Sequence, residues 1–374
     1  MKNICIYLFT LISISVFSQT KVEYLENNRF DLENSSFSFP QKDFNLIGFG
    51  AYHGSQKTET TEIALIKSLT KNGAIKYYLP NKNKLTVLGV DLLVSYKFTA
   101  KHLLELLAVK KHSRKSVTDL AKMIQNDTVD YLPFSATYSK KVLEEFVEDY
   151  EKNGNEFKNS ISDKFSFEHL IKNLKETFVD FDNSTKRERL MFENYTALSA
   201  HYQFDKKPQF ARFGFFHLEK QREGKNPSFF VQLIENGAIP RDKLITIIGY
   251  LTESRVLWGR VLDDNGTYKD YNTEGGYGIG DYEKEYFLGI DKLKKTKISD
   301  ITLFRLNQKD TPYSDGIPDL MEIVMTDEKS NGELVKGKST TEFLDYAVLI
   351  SNSKASVPIE EMDKKRLPDN IDEK

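Results

Sequence analysis

Cysteine is all but missing from this chain of 374 residues, with Cys5 the single example. Cys5 lies in the apolar run "ICIYLFTLISISVF" that follows Lys2, and the small residues Val16 and Ser18 stand just before Gln19. A basic start and a short apolar run read as a secretory signal over residues 1–18 rather than a spanning helix. The mature chain, expected to be exported to the periplasm or secreted, then carries no thiol. That excludes disulfides, a thiol nucleophile and thiolate metal ligation. Long apolar runs are lacking elsewhere, so no membrane span is expected in the mature form. An excess of one charge sign is lacking too: the formal net charge is -2. Neither nucleic acid nor an anionic membrane is then an expected partner. A small-molecule substrate or ligand remains, and the sequence does not reveal an oligomeric state.

What is present is enough for a sizeable core, with 39% hydrophobic residues. Short apolar runs at 45–49, 75–79, 85–91, 210–216, 244–250, 301–306 and 346–350 read as strands. They are apolar almost throughout rather than alternating, the pattern of strands buried on both faces. Between the first two, Ile63, Ile66 and Leu69 mark one helical face, and Asn72-Gly73 supplies a stop. Strand, helix, strand is a βαβ unit, and such units build parallel sheets. The expected fold is therefore α/β: a mostly parallel central sheet flanked by helices. Residues 99–205 look almost wholly helical and read as an insertion, or cap, between the third and fourth predicted strands. Residues 19–358 form one expected domain, "EGGYGIGDY" at 274–282 an expected loop, and 359–374 an expected disordered tail.

Candidate chemistry sits where strands end, because ligands of open parallel sheets gather outside the carboxyl ends of the strands. "GAYH" puts His53 just past the first strand, between Gly50 and Gly54, with Ser55 and Thr58 ready to cap the next helix. "GFFH" repeats the arrangement, with Gly214 and His217 at the end of the fourth. An imidazole takes a proton from water near neutral pH, so both histidines are candidate bases; the alternative for each is a loop histidine bonded to backbone. His102, His112, His169 and His201 lie in helical, charged surroundings and read as structural or solvated. A third feature is "TKRERLMFEN" at 185–194. Thr185 and Glu188 have capping-box spacing, and Arg187, Met191 and Asn194 share one face with Leu190 and Leu198. Arg187 either pairs with a core acid such as Asp91 or is presented to a substrate carbonyl.

Taken in order, "HGS" at 53–55, "LGVDLL" at 88–93, "RERLMFEN" at 187–194, "FFHLEK" at 215–220 and "FLDYAVLISNSKASVP" at 343–358 resemble the erythromycin esterase family. That family lies within a wider group including ChaN-like and TraB/Tiki-like proteins. The resemblance spans about residues 45 to 358 and implies a hydrolase of an ester or lactone, with the residue matching His53 as the base that activates water. Arg187 and His217 complete the implied catalytic set, and Ser55, Asp91 and Asn194 the substrate-binding set. The chain departs from the pattern at three points. Gly50 stands where the family has a glutamate, Pro80 interrupts the close of the second strand, and Gly214 replaces one of two histidines. No cofactor is expected on this reading. A metal-dependent hydrolase of the TraB/Tiki type is the alternative, holding one divalent metal ion with His53, His217 and a third ligand such as Glu59, Glu62, Asp91 or Glu219. A non-catalytic ligand-binding protein of the same fold is the third possibility.

Overall fold

The structure, a computed structural model, describes residues 19–41, 43–50, 54–71, 85–90, 129–135, parts of 165–176, 183–205, 207–262, 268–273, 280–326 and 329–355. The strands in chain order are β1 (Arg29–Asp31), β2 (Leu46–Gly50), β3 (Leu85–Val90), β4 (Val129–Ser135), β5 (Gln209–Phe213), β6 (Leu244–Thr252), β7 (Val256–Leu262), β8 (Tyr268–Thr273), β9 (Asp281–Tyr282), β10 (Glu285–Phe287), β11 (Ile301–Arg305), β12 (Ile323–Met325) and β13 (Tyr346–Ser351). Eight of them form one sheet in the order β1-β11-β13-β6-β2-β5-β3-β4. From β13 to β4 every neighbouring pair is parallel, while β11 and β1 add antiparallel pairings at one end. The mostly parallel α/β fold expected from the apolar runs is the fold observed.

The helices are α1 (Lys21–Asn27), α2 (Gln56–Lys71), α3 (Ser184–Tyr202), α4 (Phe229–Glu235), α5 (Ile290–Thr296), α6 (Gly332–Val335) and α7 (Thr340–Phe343). In α2 the expected face is the buried one, with Ile63, Ile66 and Leu69 all in the core. Gly54 leads into it with φ +83°, a left-handed angle that glycine tolerates and most side chains resist. β2, β6 and β13 are buried at every position, as strands covered on both faces must be. The edge strand β1 has only three residues, all half-buried, which limits the exposed pairing edge.

Three expectations need correction or limit. Residues 99–205 are not wholly helical, because β4 lies inside them and pairs with β3. "VDYLPFS" escaped notice because its proline interrupts the strand pattern, yet proline is tolerated at a sheet edge, and among the described residues β4 is the edge. Of the glycine-rich stretch, 274–279 lie outside the described residues, and its end is not loop but β9, which pairs with β10, while Gly280 N–H donates to Leu251 C=O at 2.7 Å. The second predicted strand at 75–79 and most of the insertion lie outside the described residues, as does 356–374. Among the described residues, no helix is long and apolar enough to cross a membrane.

The order of strands fixes where a ligand would go. From β2 the chain moves to β3 on one side and later, after β5, to β6 on the other, so β2 lies between β5 and β6. Such a reversal opens a crevice at the carboxyl ends of the strands. Gly50 at the end of β2 faces Phe213 at the end of β5 in register.

Candidate active site

The chain leaving β5 supplies the first element of this edge. The strand ends at Phe213, not at 216, and Gly214 leads into a single 3-10 turn, Phe215–Leu218. The reason is packing: Phe215 and Leu218 are buried on β2, which bends the chain back over the sheet. In that turn Phe216 faces solvent and His217 is half-buried. His217 therefore sits over the junction of β2 and β5, on a short segment tied down at both flanks.

Its partner comes from α3. A carboxylate oxygen of Glu188, Oε1, is hydrogen-bonded to His217 Nδ1. The other oxygen accepts Phe229 N–H, at the start of α4, at 2.6 Å. A carboxylate only accepts, so His217 donates from Nδ1–H and the lone pair resides on Nε2. Glu188 thus fixes one tautomer and one ring orientation, and a hydrogen-bonded carboxylate stabilises an imidazolium once it forms. Phe213, in edge contact with the His217 ring at 6.0 Å between centroids, supplies an apolar wall.

This pairing overturns the capping box expected from Thr185 and Glu188. The cap is Asn183, whose Oδ1 accepts Lys186 N–H at 3.0 Å, so Thr185 lies within the first turn. Freed from the cap, Glu188 points inward with Met191 and Tyr195, at i, i+3 and i+7, all buried. That spacing was visible in the sequence, but the capping signature and the neighbouring face of Arg187 competed with it.

A second acid lies two residues beyond His217. Glu219 is 4% exposed, and its Oε1 has no hydrogen-bond partner among the described residues. Burial, then the nearby charges of Glu223 and Glu188, push its carboxyl well above the usual carboxylate range, with Lys338 opposing. A buried acid thus follows the turn directly, while the carboxylate bonded to His217 comes from α3.

The other candidates divide. Asn194 is buried on the inward face of α3, as are Leu190, Met191 and Leu198. Arg187 precedes Glu188 and is half-buried, and its Nε is shielded from solvent without a hydrogen-bond partner among the described residues. Ser55 is fully buried, and its hydroxyl donates to Ser353 Oγ at 2.6 Å, which ties the start of α2 to the segment after β13. Glu62 is taken up by Arg212, at 3.0 Å, on the opposite face of the sheet from the 3-10 turn. The lone charged residue in "QFARF" was the sequence signal for that ion pair. His169 and His201 both pack against Phe165, the second stacked at 3.7 Å, in keeping with a structural role. His53, Asp91 and the side chain of Glu59 lie outside the described residues, as do His102 and His112. Among the described residues, no three of His, Cys, Asp or Glu come together as a metal-binding group.

No protein-family model matches the chain, and no curated protein matches its sequence. Solved structures do. A succinoglycan biosynthesis protein superposes with a TM-score of 0.52 at 10% identity, covering 92% of this chain and 100% of the other. A Bacillus cereus protein gives 0.42 at 14% identity, over 90% and 97%. A histidine-to-asparagine mutant of the erythromycin esterase EreC, in its open conformation, gives 0.45 at 10% identity, over 86% and 94%. The last two similarities are too weak to build on. The first shows what is shared at such distance: an α/β architecture along nearly the whole chain, and no more than the fold.

Proposed function

We propose that the chain is an exported hydrolase that cleaves an ester or lactone with histidine-activated water. The observation that carries this reading is the hydrogen bond from His217 to Glu188 at the carboxyl edge, where β2 and β5 end side by side. A base needs a reachable lone pair, a fixed tautomer and a group to stabilise its protonated form; Glu188 supplies the last two.

In the proposed reaction, His217 Nε2 takes a proton from water while the water oxygen attacks the substrate carbonyl carbon. Negative charge moves to the carbonyl oxygen, and Arg187 is the proposed cation that meets it. Collapse of the tetrahedral intermediate breaks the bond to the alcohol oxygen, which receives the proton from the imidazolium. His53, three residues after β2 in the sequence, is the proposed second imidazole of the site. Glu188 supplies the carboxylate that partners the imidazole.

The test is hydrolysis of a panel of activated esters and lactones by the wild type, His217→Ala and His53→Ala. The reading expects turnover by the wild type and loss of about a hundredfold or more in each variant. Full activity in folded His217→Ala, or no turnover by the wild type across the panel, overturns it.

A further inference from the structure

Strand β2 carries two glycines, Gly48 and Gly50, two residues apart and therefore on the same face. The elements that hold the Glu188–His217 pair pack on that face. A methyl group on Gly48 would lie 2.5 Å from Phe230 Cζ and 2.7 Å from Leu218 Cδ2. On Gly50 it would lie 2.9 Å from Ile248 Cδ1, 3.1 Å from Leu218 Cδ1 and 3.3 Å from the Phe215 Cα. Side chains at such distances must move, and at Gly50 one of the crowded atoms is backbone.

Both glycines make room for Leu218 of the turn, and each also admits one further support of the pair. Phe230, which covers Gly48, follows Phe229, whose N–H holds Glu188 Oε2. Phe215 and Leu218, which cover Gly50, flank His217 in the 3-10 turn. Small residues continue across the sheet in register, Gly48 lying between Ala211 of β5 and Thr246 of β6. Thr246 pins the turn from below, its hydroxyl donating to the buried Leu218 C=O at 2.8 Å.

We propose that Gly48 and Gly50 are positioning residues for the His217–Glu188 pair: the bare face of β2 sets the height of the 3-10 turn and of the start of α4. This also assigns a reason to Gly50, since a side chain there would crowd Leu218 and the Phe215 backbone of the turn that presents His217. The inference rests on the reading of that pair as the acid–base centre only for its effect on rate; its structural part stands on the packing alone.

The test compares wild type, Gly50→Ala, Leu218→Ala and the double variant Gly50→Ala/Leu218→Ala, all full-length. Proton NMR reads the downfield Nδ1–H of His217 bonded to Glu188, assigned by its loss in His217→Gln, and hydrolysis of an activated ester reads kcat and KM. Gly50→Ala is expected to shift or broaden that resonance and lower kcat about tenfold or more with little change in KM. The double variant, which removes the Leu218 contact while those with Ile248 Cδ1 and the Phe215 Cα remain, is expected to recover part of both. A Gly50→Ala protein with an unmoved Nδ1–H signal overturns the inference, as does a double variant no better than Gly50→Ala. If the wild type hydrolyses nothing, the NMR comparison still decides the positioning claim. If Gly50→Ala fails to fold, recovery of the resonance in the double variant decides it.

Discussion

Glu188→Gln is the sharpest perturbation of the proposed centre, because it keeps the shape of the side chain and removes its charge. The wild-type carboxylate accepts two hydrogen bonds, one on each oxygen, from His217 Nδ1–H and Phe229 N–H. Glutamine has one oxygen and one NH2 group, so one of the two N–H donors then faces another donor. Losing a charge-assisted hydrogen bond in a setting this buried destabilises the fold by about 1.5–3 kcal/mol. The rate should suffer more than the fold. Without a carboxylate on Nδ1 the imidazole is free to turn or to take the other tautomer, and comparable losses lower kcat by about 10²–10⁴-fold. That corresponds to about 3–5 kcal/mol on the barrier. Thermal or urea unfolding and kcat for an activated ester, measured on the same preparations, separate the two effects. A folded Glu188→Gln variant with wild-type kcat would refute the orienting role.

Other perturbations test separate parts of the account. Lys220 and Asp345 form a buried ion pair, Nζ lying 2.7 and 2.6 Å from the two carboxylate oxygens, and Asp345 also accepts Thr246 N–H. Asp345→Ala leaves the ammonium buried without its counter-charge and should cost about 3–5 kcal/mol in urea unfolding; a loss below about 1 kcal/mol contradicts the burial argument. Glu219, raised chiefly by its burial, binds its proton more tightly in the folded than in the unfolded chain. Its contribution to stability is therefore complete below the unfolded carboxylate range and is lost as pH rises through the folded value. Wild-type unfolding temperature should fall relative to Glu219→Gln as pH rises above the ordinary carboxylate range, and parallel pH profiles of the two proteins would count against the raised carboxyl. Tyr195→Phe removes the buried hydrogen bond from Tyr195 O–H to Gln209 Oε1, 3.0 Å, that links α3 to β5. It should lower stability by about 0.5–1.5 kcal/mol, readable as a shift in urea midpoint, with kcat little changed; a variant of unaltered midpoint argues against that link.

The fold was legible because its strands are buried on both faces, and continuous apolar runs such as "LITIIGYLT" have few other readings. α2 was legible for the complementary reason: one apolar stripe at helical spacing. β4 was not, since a strand containing proline lacks the composition that marks a central one. At the candidate site the sequence placed His217 at a strand end, and register shows why that placement matters: Gly50 and Phe213, the last residues of β2 and β5, are opposite each other. It missed Glu188 because Thr185 three residues earlier imitates a capping box, and local spacing carries no information about a histidine 29 residues away. Ser55 reads from the sequence as a cap or a substrate ligand, whereas its hydroxyl bonds Ser353, 298 residues distant. Long-range partners of polar side chains are set by topology, which the chain reveals only after it is folded.

The most direct measurement for the central claim is kcat/KM on a single activated ester for His53→Ala, His217→Ala and the double variant. Groups that act as one unit are strongly non-additive, because removing either already disables the step. Two imidazoles sharing one substrate predict that each single variant loses about a hundredfold or more, and that the double variant is little worse than the poorer single. Independent losses that multiply in the double variant, or singles that keep wild-type kcat/KM, would contradict it.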